Sequence, residues 1–257
     1  MKRPRALVLA LTLGASSLAG CSADQSRDES GSESSELTVL AAASLTETFT
    51  ALADEFEATH PSVSVRLAFD SSATLAGQAV QGAPADVLAT ADVATMQDAV
   101  DGGVVPAGST TFATNTMTLV VPANNPAGLA SFADLDGAGV DYVACVETAP
   151  CGAVAAELLA GNAVDADPAS LETDVKSVLA KVISDEADAG LVYVTDATAA
   201  GDDVQVLAIP GSDAEVLDYP IGVLEQSVDP DLAQEFVDLV LSARGRAILG
   251  AAGFGAP

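Results

Sequence analysis

The chain is expected to fold as an α/β protein with doubly wound sheets, because short apolar runs of strand length alternate with segments whose apolar residues recur at helical spacing. Capping residues open these helical segments, and glycines close several of them. Alternation of this kind favours parallel sheets covered by helices. In open sheets so built, ligands sit at the carboxyl ends of the strands, against helix N-termini.

The elements follow in order along the chain. Residues 37–42 form a short apolar run, and residues 45–58 place Leu45, Phe49, Leu52 and Phe56 on one helical face. Residues 63–69 read as a strand, 73–80 as a helix closed by Gly82, and 86–90 as another strand. A helix over 93–100 ends at Gly102-Gly103 and leads to a strand over 117–121. Further strands are expected at 142–146, 191–194, 204–209 and 216–223, with helices near 153–160, 175–183 and 232–242.

The first thirty-five residues describe destination and not fold. Lys2, Arg3 and Arg5 form a basic start, and residues 6–13 an apolar core too short to span a bilayer stably. Leu18-Ala19-Gly20-Cys21 resembles a lipobox, the signal by which bacterial lipoproteins are cleaved before a cysteine that receives lipid. Residues 1–20 are therefore read as a signal peptide, with an ordinary secretory signal as the alternative. Residues 21–35 are acidic and serine-rich and are expected to form a tether. Such a tether reaches on the order of 20 Å, which keeps the folded part near the outer face of a membrane.

Charge constrains the chemistry most sharply. Of nine Lys and Arg, only Arg66, Lys176, Lys181, Arg244 and Arg246 lie in the folded part, so the net charge of −28 falls on that part. Nucleic acid is an implausible partner, since binding it requires many cations. A solvated, solubilising surface accounts for the acidity; the carboxylates are scattered, and no calcium-loop spacing marks a metal store. Cys145 and Cys151 remain after Cys21 is assigned to lipid. In an exported protein with one histidine they are expected to form a small disulfide loop and not a zinc site, the alternative being two free buried thiols.

Four short stretches put a hydroxyl or a bare backbone amide where a helix should begin: Ala42-Ala43-Ser44, Asp70-Ser71-Ser72, Ala149-Pro150-Cys151 and Thr173-Asp174-Val175. Meeting in one cleft, they would hold an oxyanion without any cationic side chain. Ser44-Leu45-Thr46-Glu47 also matches a capping box, so Ser44 is expected to cap its helix and still to have a proton to donate. His60 precedes Pro61 and reads as a helix-terminal surface residue.

Residues 41–45 (Ala-Ala-Ala-Ser-Leu), Phe69 with Ser71-Ser72-Ala73-Thr74-Leu75, residues 82–87 (Gly-Ala-Pro-Ala-Asp-Val), Ala91-Asp92, and Gly190-Leu191-Val192-Tyr193 with Asp196-Ala197 look like the extracytoplasmic molybdate-binding proteins of ABC transporters. The match runs in order over nearly all of residues 36–257. The resemblance implies a type II periplasmic-binding-protein-like fold: two α/β lobes joined by two crossing strands, one of residues 36–118 and 214–257, the other of 119–213. It implies a monomer without cofactor, lipid-anchored outside the cell membrane, that carries molybdate or tungstate to the permease and ATPase subunits of an importer. Its expected donors are the hydroxyls of Ser44, Ser72 and Tyr193 and the amides of Cys151 and Val175. Two departures stand out: a cysteine at position 151, where the family usually has a small residue such as alanine, and Asp70 beside the serine pair, which is expected to face away from the ligand.

Two rivals belong to other readings. Sulfate or another tetrahedral oxyanion would suit the same fold. An exported serine hydrolase would need a base near Ser44 or Ser72, yet the only histidine lies a full helix from Ser44, and no G-x-S-x-G turn occurs.

Overall fold

The computed structural model describes residues 35–106 and 108–257, which form two five-stranded sheets flanked by helices. The signal peptide, Cys21 and residues 21–34 of the tether lie outside the described residues. Ser35, expected to end the tether, instead opens the first strand, where it pairs with Val63.

In the first lobe, β1 (Ser35–Ala42) leads through α1 (Thr46–Thr59) to β2 (Val63–Asp70), and α2 (Ser72–Val80) leads on to β3 (Val87–Ala89). β1 pairs in parallel with both β2 and β3. After α3 (Val93–Asp101) the chain runs along β4 (Thr110–Asn115) and crosses at Thr116 into β5 (Met117–Pro122) of the second lobe. There follow β6 (Tyr142–Cys145), α4 (Pro150–Gly161), β7 (Ser170–Glu172), α5 (Val175–Ile183), β8 (Ala189–Tyr193), α6 (Val194–Ala200) and β9 (Val204–Leu207). The chain then returns to the first sheet as β10 (Leu217–Val223) and ends with α7 (Pro230–Leu241) and α8 (Ala243–Ala251). The strand orders are β2-β1-β3-β10-β4 and β7-β6-β8-β5-β9.

Neither sheet is wholly parallel. β10 runs antiparallel to β3 and β4, and β5 runs antiparallel to β8 and β9. A parallel pair needs a crossover within its own sheet, which β1 to β3 have; strands that arrive from the other sheet are free of that requirement. Four elements lacked a sequence signal. β4 and β7 are short and largely polar, α6 is a β-branched and alanine-rich stretch of seven residues, and α8 carries Gly245 and Gly250.

The expected apolar face of α1 is the core of the first lobe: Leu45, Phe49, Leu52 and Phe56 are all buried. Phe236 of α7 meets Phe49 and Phe56 edge to face at centroid distances of 6.0 and 5.5 Å, and Phe49 also meets Phe112 of β4. Gly82 follows α2 at φ 84°, the left-handed conformation that ends a helix. Asp86, just beyond it, stitches the lobe: Oδ2 accepts the Thr38 amide at 2.8 Å and Oδ1 the Ser227 hydroxyl at 2.7 Å. In the second lobe Cys145, which ends β6, is disulfide-bonded to Cys151 in the first turn of α4, with Cα atoms 5.8 Å apart. Among the described residues no helix is long and apolar enough to cross a membrane.

Truncation of Phe49 would remove the hub of this aromatic cluster. Phe49→Ala is expected to destabilise the protein by about 3–5 kcal/mol, read as a lower denaturant midpoint with an unchanged slope.

Candidate functional site

The carboxyl ends of β1 and β2 in the first lobe face the starts of α4 and α5 in the second, and one cavity lies between them. β1 runs out into Ala42, Ala43 and Ser44; the β2–α2 junction supplies Asp70, Ser71 and Ser72; Ala91 follows β3. Across from these stand Pro150 and Cys151 of α4, Asp174 and Val175 at the start of α5, and Tyr193 at the end of β8. The structure thus brings together all four helix starts and all five candidate residues. The cavity is small, about the size of a single water.

Two serines line it in different ways. Ser44 does not cap α1, contrary to the capping-box expectation: it lies in a 3-10 turn, Ala43–Leu45, and Leu45 is the N-cap. Its buried Oγ lies 3.0 Å from the Tyr219 hydroxyl of β10, a tertiary partner that the local motif does not encode. Glu47, the other half of the expected box, binds Lys176. Ser72 is the first residue of α2, after the N-cap Ser71, and its Oγ accepts the Ala91 amide at 2.9 Å. The Ser72 proton is therefore free to be donated elsewhere.

The three donors of the second lobe are equally uncommitted. Tyr193 is 2% exposed, and its hydroxyl has no hydrogen-bond partner among the described residues. Burial pushes this phenol well above its ordinary pKa, so it remains a donor. Cys151 and Val175 lie in the first turns of α4 and α5, where backbone amides lack intrahelical acceptors. The Cys151 backbone is held by tight packing as well as by the disulfide. A Cβ on the adjacent Gly152 would come within 1.9 Å of the Val146 carbonyl oxygen, so only glycine fits there.

No Lys, Arg or His is among the residues lining the cavity. Asp70 is among the residues lining the cavity, and its carboxylate folds over the start of α2 to accept the Ser71 amide at 2.6 Å. Asp174 caps α5 by accepting the Ser177 amide and hydroxyl at 3.0 and 2.8 Å. Beside the cavity, Lys176 Nζ lies 2.8 and 2.9 Å from the two Glu47 oxygens and 3.0 Å from Asp196 Oδ1. This ion cluster joins α1 of one lobe to α5 and α6 of the other. Burial lifts the Asp196 pKa to about 6, with Lys176 opposing the rise. Burial works against the Lys176 charge, but the pull of Asp196 and Glu47 holds its pKa above the usual value.

Asn115, Tyr219 and Lys176 escaped the sequence reading as site residues. Asn115 and Tyr219 sit on β4 and β10, strands beside which nothing local marks a site. Lys176 directly follows Val175, and its place among five folded-part cations was the one signal pointing to it. His60 ends α1, stacked on Phe56 and bonded to Glu235 at 2.9 Å.

The family model for bacterial extracellular solute-binding proteins matches residues 37–255. The chain belongs to this family. It is 42% identical over 221 residues to the molybdate-binding protein ModA of Mycobacterium tuberculosis, an alignment covering 86% of this chain and 85% of that one. The periplasmic molybdate-binding protein of Azotobacter vinelandii superposes with a TM-score of 0.74 at 20% identity, over 86% of this chain and 99% of that chain. The sulfate-binding protein SubI of Mycobacterium tuberculosis does so at 0.72 and 19%, over 86% of each chain. Identities this low speak for the two-lobed fold alone. As a solute-binding protein the chain works outside the cytoplasm, as a binder and not an enzyme.

The Asp196 shift yields a stability prediction. An acid whose folded-state pKa is raised holds its proton more tightly when folded, so stability rises as pH falls through the interval between the two values. For Asp196 that interval runs from about 6 down to 3.8. The wild-type protein is expected to gain on the order of 3 kcal/mol relative to Asp196→Asn as pH is lowered across this window, measured by chemical denaturation. A pH-independent difference between the two proteins would refute it.

Proposed function

We propose that the cavity between the lobes captures molybdate, and tungstate with it, for delivery to the permease and ATPase subunits of an ABC importer. One observation carries this reading: Tyr193, whose buried hydroxyl has no partner among the described residues, lines one cavity with Ser44, Ser72 and the helix-start residues Cys151 and Val175, and no cationic side chain lines it. The identity to ModA over most of both chains supports molybdate as the particular oxyanion.

Magnitudes are adequate for tight capture. Charge-assisted hydrogen bonds contribute about 1.5–3 kcal/mol each before desolvation and closure are subtracted. Each helix N-terminus adds roughly 0.3–2 kcal/mol. A handful of these exceeds the 8 kcal/mol or so that micromolar binding requires. Donors also select protonation state, because an anion that keeps a proton needs an acceptor and a bare dianion does not.

Ser44, Ser72 and Tyr193 supply the hydroxyl donors in this reading, and Cys151 and Val175 the backbone donors. Residues 36–116 with 214–257 form one lobe and 117–213 the other, the expected bound at 118 moving by two residues so that β5 stays whole. Cys21 carries lipid, residues 22–34 tether the protein to the outer face of the cell membrane, and it acts as a monomer. The lipobox sequence supports the anchor.

Calorimetric titration with molybdate, tungstate, sulfate and phosphate tests the ligand. Molybdate and tungstate are expected to bind more tightly than sulfate; equal sulfate affinity would defeat the selectivity, and no heat with any oxyanion would defeat the class. Tyr193→Phe separates binding from folding. It removes a hydroxyl that has no hydrogen-bond partner among the described residues, so molybdate affinity should fall by about tenfold or more while the unliganded protein is no less stable. Parallel losses of affinity and stability would show that the hydroxyl serves the core.

A further inference from the structure

Behind Ser44 lies a chain of buried hydrogen bonds that the oxyanion site does not itself explain. Asn115, at the end of β4, is oriented by three contacts: Oδ1 accepts the Thr116 amide at 3.0 Å, while Nδ2 donates to Thr195 Oγ1 at 2.9 Å and to the Tyr219 hydroxyl at 3.3 Å. Its amide group therefore faces Tyr219 with N–H and not with oxygen. The Tyr219 oxygen already receives that bond; the Tyr193 hydroxyl stands beside it without forming a hydrogen bond, so among the described residues Ser44 Oγ, at 3.0 Å, is the oxygen placed to accept the Tyr219 proton. Tyr219 is fully buried and raised in pKa by that burial, so it keeps the proton it donates. Ser44 is thereby left to point its own proton away from Tyr219, and it lines the cavity.

We propose that Tyr219, oriented by Asn115, is a positioning residue that fixes Ser44 as a donor toward the ligand and so sets the cavity against oxyanions that carry a proton. The proposal rests on the oxyanion reading above and deepens it. Ser72 is arranged in the same way, its oxygen receiving the Ala91 amide from behind. Each serine is filled from the protein side by a donor and presents a proton on the other. Without the Tyr219 hydroxyl, Ser44 regains freedom to rotate and can accept a proton from the ligand. An anion such as hydrogen phosphate then loses its penalty, whereas sulfate, of like charge and similar size but with no proton, gains nothing.

The test is competition of sulfate and of phosphate against molybdate at mildly alkaline pH, where phosphate carries one proton. Wild type, Tyr219→Phe, Ser44→Ala, the double variant and Asn115→Asp are compared. Tyr219→Phe is expected to weaken sulfate and molybdate and not phosphate, so that the sulfate-to-phosphate affinity ratio falls by about tenfold. In the Ser44→Ala background the same substitution should change the ratio no further, because Tyr219 acts only through Ser44. Asn115→Asp replaces the donor to Tyr219 by an acceptor, which draws the Tyr219 proton away from Ser44. The ratio should then fall again, even if Tyr219→Phe does not fold; the added charge weakens both dianions alike and cancels in the ratio. Asp70, whose carboxylate accepts the Ser71 amide beside the cavity, is common to every protein compared. An unchanged ratio in Tyr219→Phe or in Asn115→Asp, or Tyr219 and Ser44 effects that simply add, would overturn the relay. Absence of binding by the wild type to every oxyanion would instead remove the reading beneath it.

Discussion

In the proposed reading the whole site turns on one constraint: an oxyanion has to be held with no cation to neutralise it. The described residues contain five Lys and Arg, and each is engaged elsewhere. Lys176 binds Glu47 and Asp196, Lys181 binds Glu172, Arg66 pairs with Glu36, Arg244 with Glu55, and Arg246 donates to the Leu241 carbonyl. What is left is the backbone and the hydroxyls, whose partial charges act strongly only at short range and when aligned. Alignment is what the fold supplies. The ends of parallel strands β1 and β2 aim their following helices at one point, and the second sheet, reached through β4 and β5, aims α4 and α5 at the same point from the other side. Neither lobe alone has enough donors.

The same requirement explains the polar groups buried around the cavity. An unpartnered hydroxyl in the interior is unfavourable by about 1–3 kcal/mol, yet Tyr193 keeps one. Its neighbours are held in place by bonds from behind: Tyr219 to Ser44, Ala91 to Ser72, and Ser71 to Asp70. These second contacts limit how far the donors can relax toward one another when no ligand is present. Preorganisation therefore lowers the reorganisation that binding must overcome. Gly152 serves the same end in the backbone, since its lack of a Cβ lets α4 start against the Val146 carbonyl and fixes where the Cys151 amide lies.

Much of this was legible in residue pattern. Helix α1 declares itself through Leu45, Phe49, Leu52 and Phe56, and α5 through its apolar spacing after the Asp174 cap, because both depend on local period and local capping. The direction of β5 and β10 was not, since antiparallel pairing follows from the route of the chain between sheets and leaves no mark in the strands themselves. Ser44 shows the limit most clearly. Its capping-box spacing is locally valid, but a buried Tyr219 from a strand 175 residues away competes for the hydroxyl and takes it. The motif residues of the resemblance are the ones that line the cavity, while their supporting partners had to be found in space.

The ion cluster at the cavity's edge bears on how a bound anion is let go. Lys176 joins Glu47 across the lobes, but Glu47's side chain is 53% exposed, and such a half-solvated pair is worth only about 0–1 kcal/mol. Asp196, wholly buried on the same lobe as Lys176, keeps the cation close to the cleft whichever lobe Glu47 faces, so the cluster can open at Glu47 without stranding a buried charge. Each donor that the ligand engages contributes more than that bridge does. If an anion engages donors of both lobes as proposed, its contacts outweigh the salt bridge in any closure of the lobes. A stronger, fully buried clasp would hold the empty protein shut and slow both capture and release; a weak one beside a donor-rich cavity leaves the equilibrium to the ligand.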